Sequence, residues 1–126
     1  MSLATLVLVG LGGALGALCR HKASSFMKRK SASEFPWPTL AINLCSCTIA
    51  GCALAASSAM GALAFTVLSM GFLGGFSTLS TMNCEAVDHL TQGRAKTGIA
   101  YLFVTYAGTL GAAAIGFAAT ANLVSL

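Results

Sequence analysis

The sequence predicts an all-α membrane protein, with four transmembrane helices in a single domain over residues 1–126 and a break in the third helix. Two observations carry that prediction. Of 126 residues, 56% are apolar and only 8% charged, and the mean hydropathy is +0.83, whereas roughly a quarter of the residues of a soluble domain are charged. The second is placement: residues 1–19, 35–84 and 97–126 contain no Asp, Glu, Lys or Arg. A helix crosses a hydrocarbon core about 30 Å thick with roughly 20 apolar residues, so the outer runs can each cross once and the middle run twice. This composition excludes a cytosolic enzyme, a nucleic-acid binder and a disordered linker.

The first helix is expected over residues 3–27, with Arg20 and Lys22 near the membrane edge. A cleaved signal peptide is disfavoured, because the run has no basic leader and is glycine-rich from Gly10 to Gly16. Those glycines contain an apparent dinucleotide fingerprint, but no strand precedes them and close helix packing explains them better. A short polar connection follows, and Pro36-Trp37-Pro38 predicts an extended approach to the second helix, since residues before proline avoid the α region. Trp37 suits an interfacial anchor.

The second helix is expected over 39–56, and Ser57-Ser58-Ala59-Met60-Gly61 forms an uncharged turn into the third, over 61–91. Within the third, Gly71-Phe72-Leu73-Gly74-Gly75-Phe76 is followed by Ser77-Thr78-Leu79-Ser80-Thr81. Glycine weakens helical backbone, and open backbone at membrane depth is tolerated only inside protein or beside a polar cavity. A break would therefore mark a site; an unbroken helix would use the same small residues for close packing. The fourth helix, over 97–123, carries Tyr101, Thr105 and Thr109 on one stripe. Their hydroxyls either track an ion or bond back to their own helix carbonyls.

All seven Lys and Arg flank the first-to-second and third-to-fourth connections. The positive-inside rule puts those connections in the cytoplasm and both termini outside, in one orientation, as expected of a multi-pass protein of the cell membrane. So small a chain has little interior to shelter Asn43 and Arg20 from lipid, so a partner subunit is expected. Catalysis is not: there are only three acidic residues and no nucleophile–base pair. Glu85, beside Asp88, reads as a solvated helix end. Cys19, Cys45, Cys47, Cys52 and Cys84 lie in apolar segments, with neither a CxxC pair nor a histidine at metal spacing, and read as small buried apolar residues.

These motifs, taken in order, resemble the Fluc (CrcB) fluoride channels over nearly the whole chain. The resemblance rests on Gly12-Gly13-Ala14-Leu15-Gly16-Ala17-Leu18-Cys19-Arg20, on Thr39-Leu40-Ala41-Ile42-Asn43 with Gly51, on the Gly71–Thr81 run, and on Glu85, Gly93-Arg94 and the Tyr101, Thr105, Thr109 stripe. It implies an antiparallel dimer of four-helix subunits, two fluoride pores at the interface and a central sodium ion held by the backbone carbonyls of Gly74 and Ser77. Asn43 looks like the pore asparagine, with Ser80, Thr81, Tyr101, Thr105 and Thr109 along the track and Arg20 as the vestibule arginine. The family usually writes Thr-Thr-Phe-Ser-Thr-Phe where this chain reads Ser77-Thr78-Leu79-Ser80-Thr81-Met82, so both pore phenylalanines are absent, at Leu79 and Met82. Milder departures are Ser46 for a helix-two glycine, and Thr105 and Thr109 where Ser or Asn is common.

A fixed orientation and the lost rings together imply one member of a heterodimer with an oppositely oriented second Fluc-type subunit. The expected function is passive fluoride efflux across the lipid bilayer. Competing expectations are a non-conducting structural partner and a small multidrug-type transporter; the latter wants a carboxylate midway along the first helix, where residues 1–19 offer none.

Overall fold

The structure, a computed structural model, describes residues 2–124. Helix α1 (Leu3–Lys30) starts at Ser2, whose hydroxyl accepts from the Thr5 amide at 3.2 Å, and ends with Lys28, Arg29 and Lys30 in its last turn. Capping satisfies one orphan N–H, and cations at the C-terminus suit the helix dipole. Helix α2 (Trp37–Ala55) follows. A short helix α3 (Ser57–Met60) and Gly61, at φ +79°, make the turn into the third span. Helix α7 (Ala95–Val124) closes the bundle. Among the described residues, four spans are long and apolar enough to cross a membrane.

Several expected helix ends shift slightly. Helix α1 continues one turn past residue 27, and α2 begins at Trp37 rather than at residue 39. The cause of the second is that Pro38 occupies the first turn, where its missing N–H is one of the orphans anyway. The expected extended approach is not found: Glu34 and Phe35 are bends, and Pro36 (φ −79°, ψ 61°) sits in a tight turn closed by the Trp37 amide on the Phe35 carbonyl at 2.8 Å.

The third span, Ala62–Thr91, is composite. It runs as α4 (Ala62–Thr66), π-helical turns over Val67–Leu73, and α5 (Gly74–Phe76). The helix then opens at Ser77 (φ −72°, ψ 159°) and Thr78 (φ −150°, ψ 108°) before α6 (Leu79–Thr91). The opening lies just beyond the glycines rather than within them. Gly71 and Gly75 instead allow close approach: a Cβ at Gly75 would collide with the Gly13 carbonyl, and one at Gly71 would lie 2.9 Å from the Val9 carbonyl.

The packing falls into pairs. α1 lies against the π-helical turns and α5, while α2 lies against α7, where a Cβ at Gly51 would strike the Ala113 carbonyl and one at Gly116 the Thr48 carbonyl. Lipid offers no hydrophobic drive between helices, so such small-residue seams supply the dispersion contact that holds a bundle together. Past the opening, α6 leaves α1 and packs on α7. The third span thus changes partner at Ser77–Thr78. A small core of Leu40, Met82, Ala86 and Tyr101 sits where α2, α6 and α7 meet. Large apolar side chains such as Leu11, Leu18, Phe103, Leu110 and Ile115 face outward. All five cysteines are free.

Candidate functional site

A helix opened inside a membrane leaves backbone groups that must find partners. Here the partner is Asn43, buried on α2. Its Oδ1 accepts from the Thr78 amide at 2.9 Å, and its Nδ2 donates to the Thr78 carbonyl at 3.1 Å. One side chain therefore closes both polar groups of the most extended residue in the opening. One of its two amide hydrogens is used in doing so.

Thr78 is also the N-cap of α6: its hydroxyl accepts from the Thr81 amide at 3.2 Å and donates to the Thr81 hydroxyl at 2.8 Å. In a continuous helix the Thr78 and Thr81 amides would close on the carbonyls of Gly74 and Ser77. Both amides are engaged elsewhere, so those carbonyls are released from the helical ladder. The opening therefore faces α5 with carbonyl oxygens and α6 with first-turn N–H groups, ends of opposite partial charge.

Two cavities have Thr78 in their walls. One, of 170 Å³, is lined by Asn43, Cys47, Leu79, Met82, Thr105 and Thr109 among others. The second, of 250 Å³, is lined by Arg20, His21, Ser24, Lys28, Thr39 and Thr81 among others. The basic end of α1 thus opens onto a hydroxyl-lined space that ends at the same residue as the inner cavity.

The remaining candidates separate into groups. Thr105 is buried and donates to the Tyr101 carbonyl at 2.7 Å, and Thr109 donates to the Tyr106 carbonyl at 3.1 Å. Of the two roles open to the stripe, both threonines therefore take the helix-bonding one, leaving lone pairs toward the cavity. The Thr81 hydroxyl, an acceptor from Thr78, keeps its own hydrogen for another partner. Ser80 is exposed. Leu79 is 57% exposed, whereas Met82 is 1% exposed and belongs to the core.

Tyr101 lies apart from the Asn43 cluster, at 0% exposure. Its hydroxyl donates to Glu85 Oε2 at 2.9 Å, and Thr39 donates to Glu85 Oε1 at 2.9 Å. Glu85 is thus no solvated helix end. It is a half-buried carboxylate with a hydroxyl on each oxygen, joining α2, α6 and α7. Burying a charge is costly unless each lone pair is met, which explains the pairing. Thr39 and Thr78 are the members that sequence reasoning left without a role; an acid at the edge of an apolar run was the available signal.

Beneath the Glu34–Arg94 ion pair, which ties the 31–36 segment to the turn before α7, a third cavity of 250 Å³ is lined by Glu85, Asp88 and His89. His89 is buried, and its Nδ1 has no partner among the described residues. No group of three or more potential metal-ligating side chains forms among the described residues.

Comparison with known proteins fits this framework. The family described as CrcB-like protein, Camphor Resistance (CrcB), matches residues 7–117. The chain is 40% identical over 121 residues to the fluoride-specific ion channel FluC of Anaeromyxobacter dehalogenans, covering 94% of each protein. It is 36% identical over 116 residues to the fluoride-specific ion channel FluC 2 of Rhodococcus jostii, covering 92% of this chain and 98% of the relative. With the fluoride-specific ion channel FluC 1 of Listeria innocua the identity is 34% over 110 residues, 87% of this chain and 92% of the relative. A match that takes in all four spans, the opened third helix and its asparagine clamp places this chain in the CrcB-like family.

Proposed function

We propose that the chain is a subunit of a fluoride-selective channel that lets fluoride leave the cell passively, and that it works in a dimer with an oppositely oriented second subunit of the same family. The observation that carries the reading is that two cavities lie on either side of Thr78, one lined by Asn43 and the other by Arg20, His21 and Lys28. Basic groups raise the local anion concentration at a mouth. Beyond it, a small, strongly hydrated anion needs replacement donors. The free amide hydrogen of Asn43, the Thr81 and Ser80 hydroxyls and the first turn of α6 offer them. Thr105 and Thr109 shape the path without donating to it in this rotamer, and Tyr101 steadies it through Glu85. An interior-negative potential favours outward anion movement by about 2.3 kcal/mol per 100 mV, so no nucleotide site is required.

A partner would cover polar residues such as Ser80 and Thr81, which a lone chain leaves exposed and which are costly against lipid. The positive-inside bias, with cations on two connections alone, favours a partner of reverse bias over an inverted copy. The numbered names FluC 1 and FluC 2 among the relatives agree with a paired system. The aromatic edges absent at Leu79 and Met82 would then come from the other subunit.

A sodium ion at the interface fits the donor set. The carbonyls of Gly74 and Ser77 are released from the helical ladder by the Asn43 and Thr78 bonds, and hard oxygen ligands suit an alkali cation. When bound, it would supply positive charge that ties the two openings together.

The test is fluoride-electrode efflux from liposomes, with this chain alone and then co-purified with its oppositely biased paralogue. The expected result is weak flux alone and robust flux together; robust flux from this chain alone would overturn the paired reading. Leu79 and Met82 also favour a non-conducting, scaffolding role. That role predicts unchanged flux when Asn43 or Thr109 is replaced in the co-expressed pair.

A further inference from the structure

The stretch of α1 from residue 20 to its end carries five of the seven basic residues: Arg20, Lys22, Lys28, Arg29 and Lys30. No acidic residue precedes Glu34 in the chain. Among the described residues the one ion pair is that of Arg94 with Glu34, so none of these five cations is ion-paired, and only Lys28 shares a cavity with carboxylates, those of Glu34, Glu85 and Asp88. At 1.5 Å per residue, the 28-residue α1 is about 42 Å long, some 12 Å more than a hydrocarbon core. Its uncharged part ends at Cys19, so the basic turns stand at the level of the lipid headgroups and beyond.

These turns have two faces. Arg20, Ser24 and Lys28, spaced i, i+4 and i+8, line the cavity that reaches Thr78. Around the helix, a groove of 400 Å³ is lined by His21, Lys22, Ser25, Phe26 and Arg29. Lys22, Phe26 and Arg29 follow an i, i+4, i+7 stripe, and all three are exposed, Phe26 to 59%. The Lys30 ammonium lies over the Phe26 ring, 4.6 Å from its centroid. An exposed aromatic between two cations, with a hydroxyl beside it, matches the boundary where acyl chain gives way to phosphate.

We propose that this outer stripe of α1 is a docking site for the phosphate headgroup of an anionic phospholipid, with Lys22 and Arg29 on the phosphate and Phe26 against the upper acyl chain. Charge complementarity selects the occupant. A zwitterionic lipid brings an ammonium into a field of five cations, whereas an anionic lipid brings none. The inner stripe stays free for small anions, because a lipid tethered in the leaflet reaches only the outer face.

The test uses the purified full chain in nanodiscs of equal phosphatidylglycerol and phosphatidylcholine, reading the motional restriction of spin-labelled forms of each lipid. The expected result is selective restriction of phosphatidylglycerol that weakens with salt. It should fall about fivefold for each cation removed in Lys22→Gln and Arg29→Gln, survive in Lys22→Arg, and be unaffected by Lys96→Gln, at the start of α7. Equal restriction of both lipids, or selectivity untouched in the Lys22→Gln/Arg29→Gln double variant, would overturn the proposal. So would full displacement by millimolar inorganic phosphate, which would mean a site for free anions. The readout is lipid contact and not flux, so it stands or falls independently of the channel reading.

Discussion

At the scale of single residues, Asn43 does more than any other side chain, because one amide meets both backbone groups of Thr78. Replacing it with Ala leaves a buried N–H and a buried carbonyl unmet, at about 1–3 kcal/mol each. Asn43→Ala should therefore lower the thermal midpoint in detergent as well as the flux of the assembled channel. Asn43→Asp keeps the acceptor for the Thr78 amide but sets a buried carboxylate oxygen against the Thr78 carbonyl, so it too should melt below the parent and lose flux. Parent-like midpoints in both variants would show that the clamp does not hold the opening. Glu85 gives a second contrast. Glu85→Gln retains hydrogen-bonding atoms for Thr39 and Tyr101, whereas Glu85→Ala orphans the hydroxyl of a fully buried tyrosine. Circular-dichroism melting should place Glu85→Ala below Glu85→Gln by about 1–3 kcal/mol in stability. The residue types at these positions were visible in the sequence, but their bonds were not. Thr39 and Glu85 are 46 positions apart, and Asn43 and Thr78 are 35 apart, and no local periodicity records such pairings.

At the scale of elements, the four spans were legible because charge avoids hydrocarbon, and the ends moved by only a few residues. The opening was legible as a region but not as a position. Glycine was expected to break the helix, yet the glycine run holds helical and π-helical turns, and the backbone opens two residues later, where Asn43 and the Thr78 hydroxyl supply partners. Tertiary hydrogen bonding outweighed local propensity. The glycines serve the seam with α1 instead. Gly75→Ala meets the Gly13 backbone and cannot be relieved by moving a side chain, whereas Gly10→Ala meets nothing within 4 Å. Gly75→Ala should thus reduce the yield of folded protein in size-exclusion chromatography, and Gly10→Ala should match the parent or exceed it slightly, since Ala favours helix by about 1 kcal/mol.

For the whole molecule, the charge pattern predicts orientation. The 31–36 segment and the turn before α7 are joined by Glu34 and Arg94, so they share one face of the bundle, and α3 lies at the other end of α2. Cysteines introduced at Ser33 and Ser58 in a chain whose native cysteines are replaced should react with a membrane-impermeant thiol reagent from opposite sides. Ser58 should be labelled in intact cells and Ser33 only after lysis. Labelling of both in intact cells would mean mixed orientation and would remove the reason for a partner of reverse bias.

The switch of neighbours along the third span also bears on how the chain is made. Synthesis delivers α2 to the bilayer before residue 78 leaves the ribosome, and earlier segments of a chain generally fold first. Asn43 is therefore already waiting at depth when the unwound backbone arrives, and a hole in the helical ladder that would be intolerable in bare lipid is closed on arrival. Reversing that order, by a circular permutation that places α2 last, should strand the open segment among acyl chains and send the newborn polypeptide to degradation.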